Sequence, residues 1–349
     1  MKTAERDMNA YYREPPYGLR TNGMQWLQRQ VAKKAATLPF DFSTIVQWET
    51  FKGEMRRKLP AVCGLPAFPE MKESFIRGRS RVDEDVLVER VDIYVDEDYA
   101  IPAFAFYRES TEKIPALLWN PGWPQDKWDA AYQKFAVRMA KQGMLVLIVD
   151  HIPFGETAFN GTDVLQRTTL AMSLCNLIGV SQFMLRVAEC MRAGEYLRSR
   201  PDVDASRVAI SGLCQGGMDT WFTAALDDGF CCAAPICSAS TYAVHMTEMA
   251  SYITNADTSP FPFGVLNVCD VEHLHAAVAP RPLLVRGNLP DNWWPVSGFD
   301  SIETFCRKIY GLYGALDQMD FRYEVNEHNL TNQFAQALEQ FLITNLLKK

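Results

Sequence analysis

Cys214 stands in the run Ser211-Gly212-Leu213-Cys214-Gln215-Gly216-Gly217, a Gly-x-Cys-x-Gly-Gly pattern. The β-branched segment Arg207-Val208-Ala209-Ile210 leads into it, and Met218-Asp219-Thr220-Trp221-Phe222, with helical apolar spacing, leads out. A strand, a sharp turn and a helix with a nucleophile at the apex make a nucleophile elbow. Glycines flank the apex because its backbone is strained and the neighbouring chain crowds it. The start of a helix also favours a negative charge. A serine must lose its proton during attack, whereas a cysteine beside a histidine can already exist as a thiolate. The expected acyl-enzyme is a thioester. Because thiolates leave readily, esters, enol esters, lactones and thioesters suit this nucleophile better than amides.

A thiolate of this kind needs a histidine and an acid to orient it, which follow the elbow in the order acid, then histidine. His328 comes after the strand-like run Phe321-Arg322-Tyr323-Glu324-Val325 and before a terminal helix beginning near Gln333, where the base belongs. Asp291 follows the preceding strand, Pro282-Leu283-Leu284-Val285-Arg286, and is the expected orienting carboxylate. Asp300, within the next helix, is a poorer candidate. The oxyanion hole is expected to use the backbone N–H of Gln215 and one from Trp119-Asn120-Pro121-Gly122-Trp123-Pro124. The two prolines have no N–H, which leaves Trp123. His151, Trp293 and Trp294 fall in loops at strand ends and are read as substrate-binding residues. His273 and His275, two apart on a helix, point away from each other and are read as a solvated face rather than a metal pair. The mechanism calls for no metal ion and no cofactor.

The elements that must hold these residues follow from periodicity. Residues 86–95 and 101–107, joined by Asp96-Glu97-Asp98, read as an antiparallel pair. Short apolar runs at 116–119, 145–149, 208–211, 231–237, 282–286 and 321–325 alternate with helical stretches. Such alternation predicts a mostly parallel central sheet flanked by helices, an α/β fold with ligands at the carboxyl ends of the strands. Residues 1–80 lack the alternation and read as a helical extension or cap, with helices over 24–36 and 45–59. Its aromatic residues, Tyr11, Tyr12, Trp26, Phe40, Phe42, Trp48 and Phe51, suit packing on the main domain or on a second subunit, so a homo-oligomer is left open. Residues 81–349 form the catalytic domain.

Composition narrows the partners. With 48% hydrophobic and 22% charged residues in 349, the chain has an ordinary globular balance. A net charge of −7 argues against a nucleic-acid surface and leaves small molecules as the expected partners. No apolar run reaches the length of a membrane span. The acidic start of the chain, without an apolar h-region, predicts no secretory signal. Nine cysteines in no Cys-x-x-Cys spacing fit reduced thiols in a cytoplasmic protein.

Taken together, Asn120-Pro121-Gly122-Trp123, Val149-Asp150-His151-Ile152-Pro153-Phe154-Gly155-Glu156, the segment from Tyr196 to Arg207, the elbow and Ala279-Pro280-Arg281-Pro282-Leu283-Leu284 are similar to α/β-hydrolases of the acetyl xylan esterase-like group. The likeness covers roughly residues 45 to 349. Those esterases place serine at the elbow, whereas the cysteine in Gly-x-Cys-x-Gly-Gly resembles dienelactone hydrolase. The resemblance implies an α/β-hydrolase fold with Cys214, Asp291 and His328 at the triad positions. The expected activity is hydrolysis of a small carboxylic ester or lactone. Alternatives with the same constellation are an acyltransferase, a carbon–carbon bond hydrolase, a lyase, or an inactive binding relative, and an engineered serine-to-cysteine change also fits the elbow.

Overall fold

A computed structural model describes residues 23–158, 163–248, 261–289, 291, 293–325 and 327–348. Alternating runs in the sequence become one nine-stranded sheet. In chain order the strands are β1 (Phe75–Arg81), β2 (Leu87–Tyr94), β3 (Ala100–Tyr107), β4 (Ile114–Asn120), β5 (Leu145–Val149), β6 (Val203–Leu213), β7 (Cys232–Ile236), β8 (Leu283–Leu289) and β9 (Met319–Val325). In space they run β1-β2-β3-β5-β4-β6-β7-β8-β9. The pairs β1–β2, β2–β3 and β3–β5 are antiparallel. Every pair from β5 to β9 is parallel.

The parallel half is buried on both faces, which is why β4 (IPALLWN) and β5 (LVLIV) read as unbroken apolar runs with every residue buried. Two apolar layers enclose it. On one side Phe183, Val187, Trp221, Phe222, Ile302 and Phe305 come from the helices Gln182–Ser199, Gln215–Leu226 and Val296–Leu312. On the other, Tyr132, Phe135, Met139, Phe334 and Leu338 come from Ala130–Lys141 and Asn332–Leu342. A mostly parallel sheet with helices on both faces and a helical lead-in is the α/β-hydrolase architecture.

The helices before the sheet are Gly23–Ala35 and Ile45–Cys63. Thr44 and Gln47 form a capping box at the start of the second, satisfying N–H groups that have no partner within the helix. Its Trp48 is fully buried, 5.9 Å between ring centroids from Phe305, and its Arg56 pairs with Asp228 at 2.6 and 2.7 Å. This helix therefore packs on the main domain of its own chain. Tyr11 and Tyr12 lie outside the described residues.

The chain departs from the sequence reading at β1, which lies in the stretch read as helical. All seven of its residues, FIRGRSR, are exposed, so no buried face marks the strand in the sequence. Backbone pairing with β2 and charge hold it instead. Arg77 pairs with Asp92 at 2.5 Å and Arg79 with Glu89 at 2.6 Å, both on the neighbouring β2.

Candidate active site

The apex of the elbow lies between the last residue of β6 and the first of the helix Gln215–Leu226. Cys214 has φ 56° and ψ −119°, a region that a residue with a Cβ occupies only when its surroundings enforce it. Two hydrogen bonds do so: its N–H donates to the Ile236 carbonyl on β7 at 2.9 Å, and its carbonyl accepts from Met218 N–H at 3.1 Å. The glycines are required by contact. A methyl group at Gly216 would collide with the Asn120 carbonyl, and one at Gly122 would stand 2.9 Å from Leu213 O and 3.3 Å from Cys214 Cβ. The loop carrying Trp123 is thereby pressed against Cys214.

Asp291 and His328 follow β8 and β9, and the structure brings them together. His328 Nδ1 donates to Asp291 Oδ2 at 3.1 Å. The other carboxylate oxygen, Oδ1, accepts the backbone N–H groups of Trp293 at 2.7 Å and Trp294 at 3.3 Å. The Asp291 side chain is 2% exposed and thus held from both ends, while that of His328 is 24% exposed. Burial works against charge on His328, but Cys214 and the Asp291 carboxylate override it and raise the imidazole to about 10. Its Nε2 is buried without a partner at full hydrogen-bonding geometry among the described residues, and Cys214 favours the protonated ring through its charge and, less strongly, through side-chain hydrogen bonding. Asp300 is elsewhere, accepting from the Tyr323 hydroxyl at 3.1 Å.

Other residues singled out in the sequence have less simple places. Trp293 is 42% exposed, and half-buried Trp294 meets His245 edge to face, with centroids 5.0 Å apart. Trp123 reaches Thr168 Oγ1 with its Nε1 at 3.5 Å. His151 offers no free ring nitrogen: it is buried, with Nδ1 2.6 Å from Glu189 Oε2 and Nε2 3.2 Å from Asn120 Oδ1. Both ring nitrogens of His151, expected from the sequence to serve substrate binding, thus face side chains of the protein itself. His273 and His275 are fully buried rather than solvated. His273 is wedged between Phe40, Phe51 and Phe305 and hydrogen-bonded to the Pro39 carbonyl at 2.8 Å, while His275 is 3.0 Å from the Val271 carbonyl. Their helix, Val271–Ala276, is sealed by elements distant in sequence, which its own pattern cannot reveal.

One neighbour of the pair went unnoticed in the sequence. Cys237, just past β7, has φ 50° and is fully buried, and its Sγ lies with ligand atoms of Asp291 and His328 within 4.8 Å of one another. A thiol, a carboxylate and an imidazole so placed are donors that could hold a soft divalent cation. Burial raises the Cys237 thiol far above its ordinary range, and the Asp291 carboxylate adds to the effect. In the sequence it ends an apolar run like any core cysteine. All nine cysteines are free thiols.

No family model matches the chain. It is 26% identical over 282 residues to "Putative hydrolase YtaP" of Bacillus subtilis (strain 168), covering 76% of this chain and 90% of that one. Among solved structures it is similar to Methylesterase BT1017, with a TM-score of 0.68 and 18% identity over 90% of this chain and 68% of the other. It is also similar to a glucuronoyl esterase from Solibacter usitatus, with a TM-score of 0.67 and 13% identity over 87% and 94% of the two chains. An acetyl xylan esterase from Paenibacillus sp. R4 gives 0.59 and 17% over 90% and 99%. At these identities the likeness establishes the fold.

Proposed function

We propose that the protein hydrolyses a small carboxylic ester or lactone through Cys214, His328 and Asp291. The observation that carries this reading is a cysteine held at φ 56° at the start of a helix, in the electrostatic reach of a histidine whose far side is bound to a buried carboxylate. Cys214 Sγ attacks the carbonyl carbon, and the carbonyl π pair moves onto oxygen, which rests against the N–H groups of Gln215 and Trp123. Collapse re-forms the carbonyl and breaks the bond to the alkoxy group, which takes the Nε2 proton of His328 and leaves as the alcohol. A water molecule then attacks the thioester while giving a proton to Nε2. The second collapse breaks the C–S bond, releases the acid and returns the thiolate beside a protonated His328.

The names of the similar proteins, a hydrolase and three esterases, support this substrate class, and the nine free thiols suit a reducing compartment such as the cytoplasm. Among the described residues no single helix is long and apolar enough to cross a membrane. The test is mass spectrometry after mixing with an activated aryl ester. One acyl group on Cys214, lost on further incubation in water, is the expected result. Full hydrolysis by Cys214→Ala would sink the reading. Transfer to an added alcohol in excess of hydrolysis would replace it with an acyltransferase.

A further inference from the structure

Beneath the Trp123 loop lies a set of buried polar side chains that the reaction itself does not use. Asn120, last residue of β4 and paired in register with Gly212 of β6, is its hub. Its Nδ2 donates to Thr220 Oγ1 at 3.4 Å, and the Thr220 hydroxyl in turn donates to the Gly216 carbonyl at 2.8 Å, tying the loop to the elbow helix. That leaves Asn120 Oδ1 as an acceptor, met by Cys190 Sγ at 3.3 Å and by His151 Nε2 at 3.2 Å. The imidazole must therefore carry its proton on Nε2. Its Nδ1, 2.6 Å from Glu189 Oε2, shares a proton with that carboxyl group, which also takes the Tyr99 hydroxyl on Oε1 at 2.7 Å. Burial favours this neutral pair, pushing Glu189 up to about 7 and His151 down to about 3. Arg186, clamped by Asp219 at 2.5 Å, gives a second tether to the same loop through the Pro121 carbonyl at 3.4 Å.

We infer that His151 is a positioning residue, whose Nε2–H fixes Asn120 and through it the loop that presents the Trp123 N–H, so that it sets the oxyanion hole and not the nucleophile. The inference rests on the catalytic reading above. An oxyanion donor acts only where negative charge develops on a carbonyl oxygen, and losing one typically slows the chemical step about 10²- to 10³-fold. Alkylation of a thiolate by iodoacetamide is a displacement at a saturated carbon and develops no such charge. The two reactions at Cys214 therefore separate a displaced hole from a damaged nucleophile.

The experiment compares single-turnover acylation by an aryl ester with iodoacetamide alkylation in the full chain, for His151→Leu, His151→Gln and Thr220→Val, with circular dichroism to check folding. In His151→Leu we expect acylation to slow about 10- to 10²-fold while alkylation stays within about twofold. His151→Gln, whose amide N–H can reach Asn120, should recover most of the acylation. Thr220→Val, which loses the opposite tether without burying a charge, should slow acylation about 3- to 10-fold and decides the matter if His151→Leu does not fold. Acylation unchanged in the folded variants, or alkylation falling in parallel with it, overturns the inference. If the unaltered protein forms no acyl-Cys214, the catalytic reading fails and this one with it; normal acylation in the unaltered protein and the variants alike sinks this one alone.

Discussion

Two groupings of a cysteine, a histidine and a carboxylate among the described residues, one around His328 and one around His151, behave in opposite ways. In one, His328 faces Asp291 and feels Cys214; in the other, His151 is bound to Glu189 at 2.6 Å with Cys190 Sγ 3.7 Å from its Nε2. Judged by side-chain contact alone, the second is the better formed. Yet burial drives His151 to about 3 and, with Asp219 adding to it, lifts the Cys190 thiol well above its ordinary range, whereas His328 rises to about 10. What separates them is the backbone and the access. Cys214 sits in a strained turn at a helix N-terminus and is partly exposed; Cys190 lies inside the helix Gln182–Ser199 and is fully buried. Residue types propose a nucleophile, and position in the fold decides whether it can act as one.

The sharpest way to break this contrast is Cys214→Ala, for which ester hydrolysis should fall by more than roughly 10³-fold in steady-state assays. A variant that keeps its rate would mean the nucleophile is elsewhere. Next in size is His328→Ala, expected to slow acylation roughly 10²- to 10⁴-fold, since the counter-charge and the proton donor both vanish. Asp291→Asn should cost less, roughly 10- to 10³-fold, because in the proposed thiolate–imidazolium resting pair the proton has moved before attack and the acid mainly orients the ring. Single-turnover kinetics rank the two, and an Asp291→Asn rate below that of His328→Ala would show that the resting state is wrong.

Smaller effects should appear in stability against pH. The fold favours protonated His328, so its contribution is full below the ordinary 6.5 and is lost as pH rises through about 10. The fold favours neutral His151, whose contribution is full above 6.5 and is lost as pH falls toward about 3. Melting temperature should therefore decline on both sides, and His328→Gln should flatten the alkaline limb by a few °C while leaving the acid limb in place. An unchanged alkaline limb would remove the ion pair from the account. The mildest test is peptide mapping after brief iodoacetamide treatment of the native protein, which should label Cys214 before Cys190.

These two groupings also differ in how legible they were. The elbow is local, since its glycines and its strand-to-helix change sit within a dozen residues, and Asp291 and His328 could be placed by counting strands. His151 could be seen only as a residue after a strand, because Glu189 and Asn120, which fix its role, lie 38 and 31 positions away. Cys237 was hidden for the same reason, as its nearness to Asp291 and His328 arises from strand order in the sheet. The burial of His273 and His275 depends on Phe40 and Phe51, which arrive from the N-terminal segment.

The strand missed in the sequence also bears on how this protein keeps company with itself. β1 ends the sheet, and such a margin offers unsatisfied N–H and C=O groups to any other chain that can lie alongside. Phe75 and Ile76, 67% and 46% exposed, would invite that partner. Three arginines follow within the next five residues, and a register break between Ile76 and Gly78 bends the margin out of line. A second copy docking there would have to fit its own long arginine side chains among Arg77 and Arg79, which are already committed to Asp92 and Glu89, so the strand that carries no core residue is a poor template for edge-to-edge pairing.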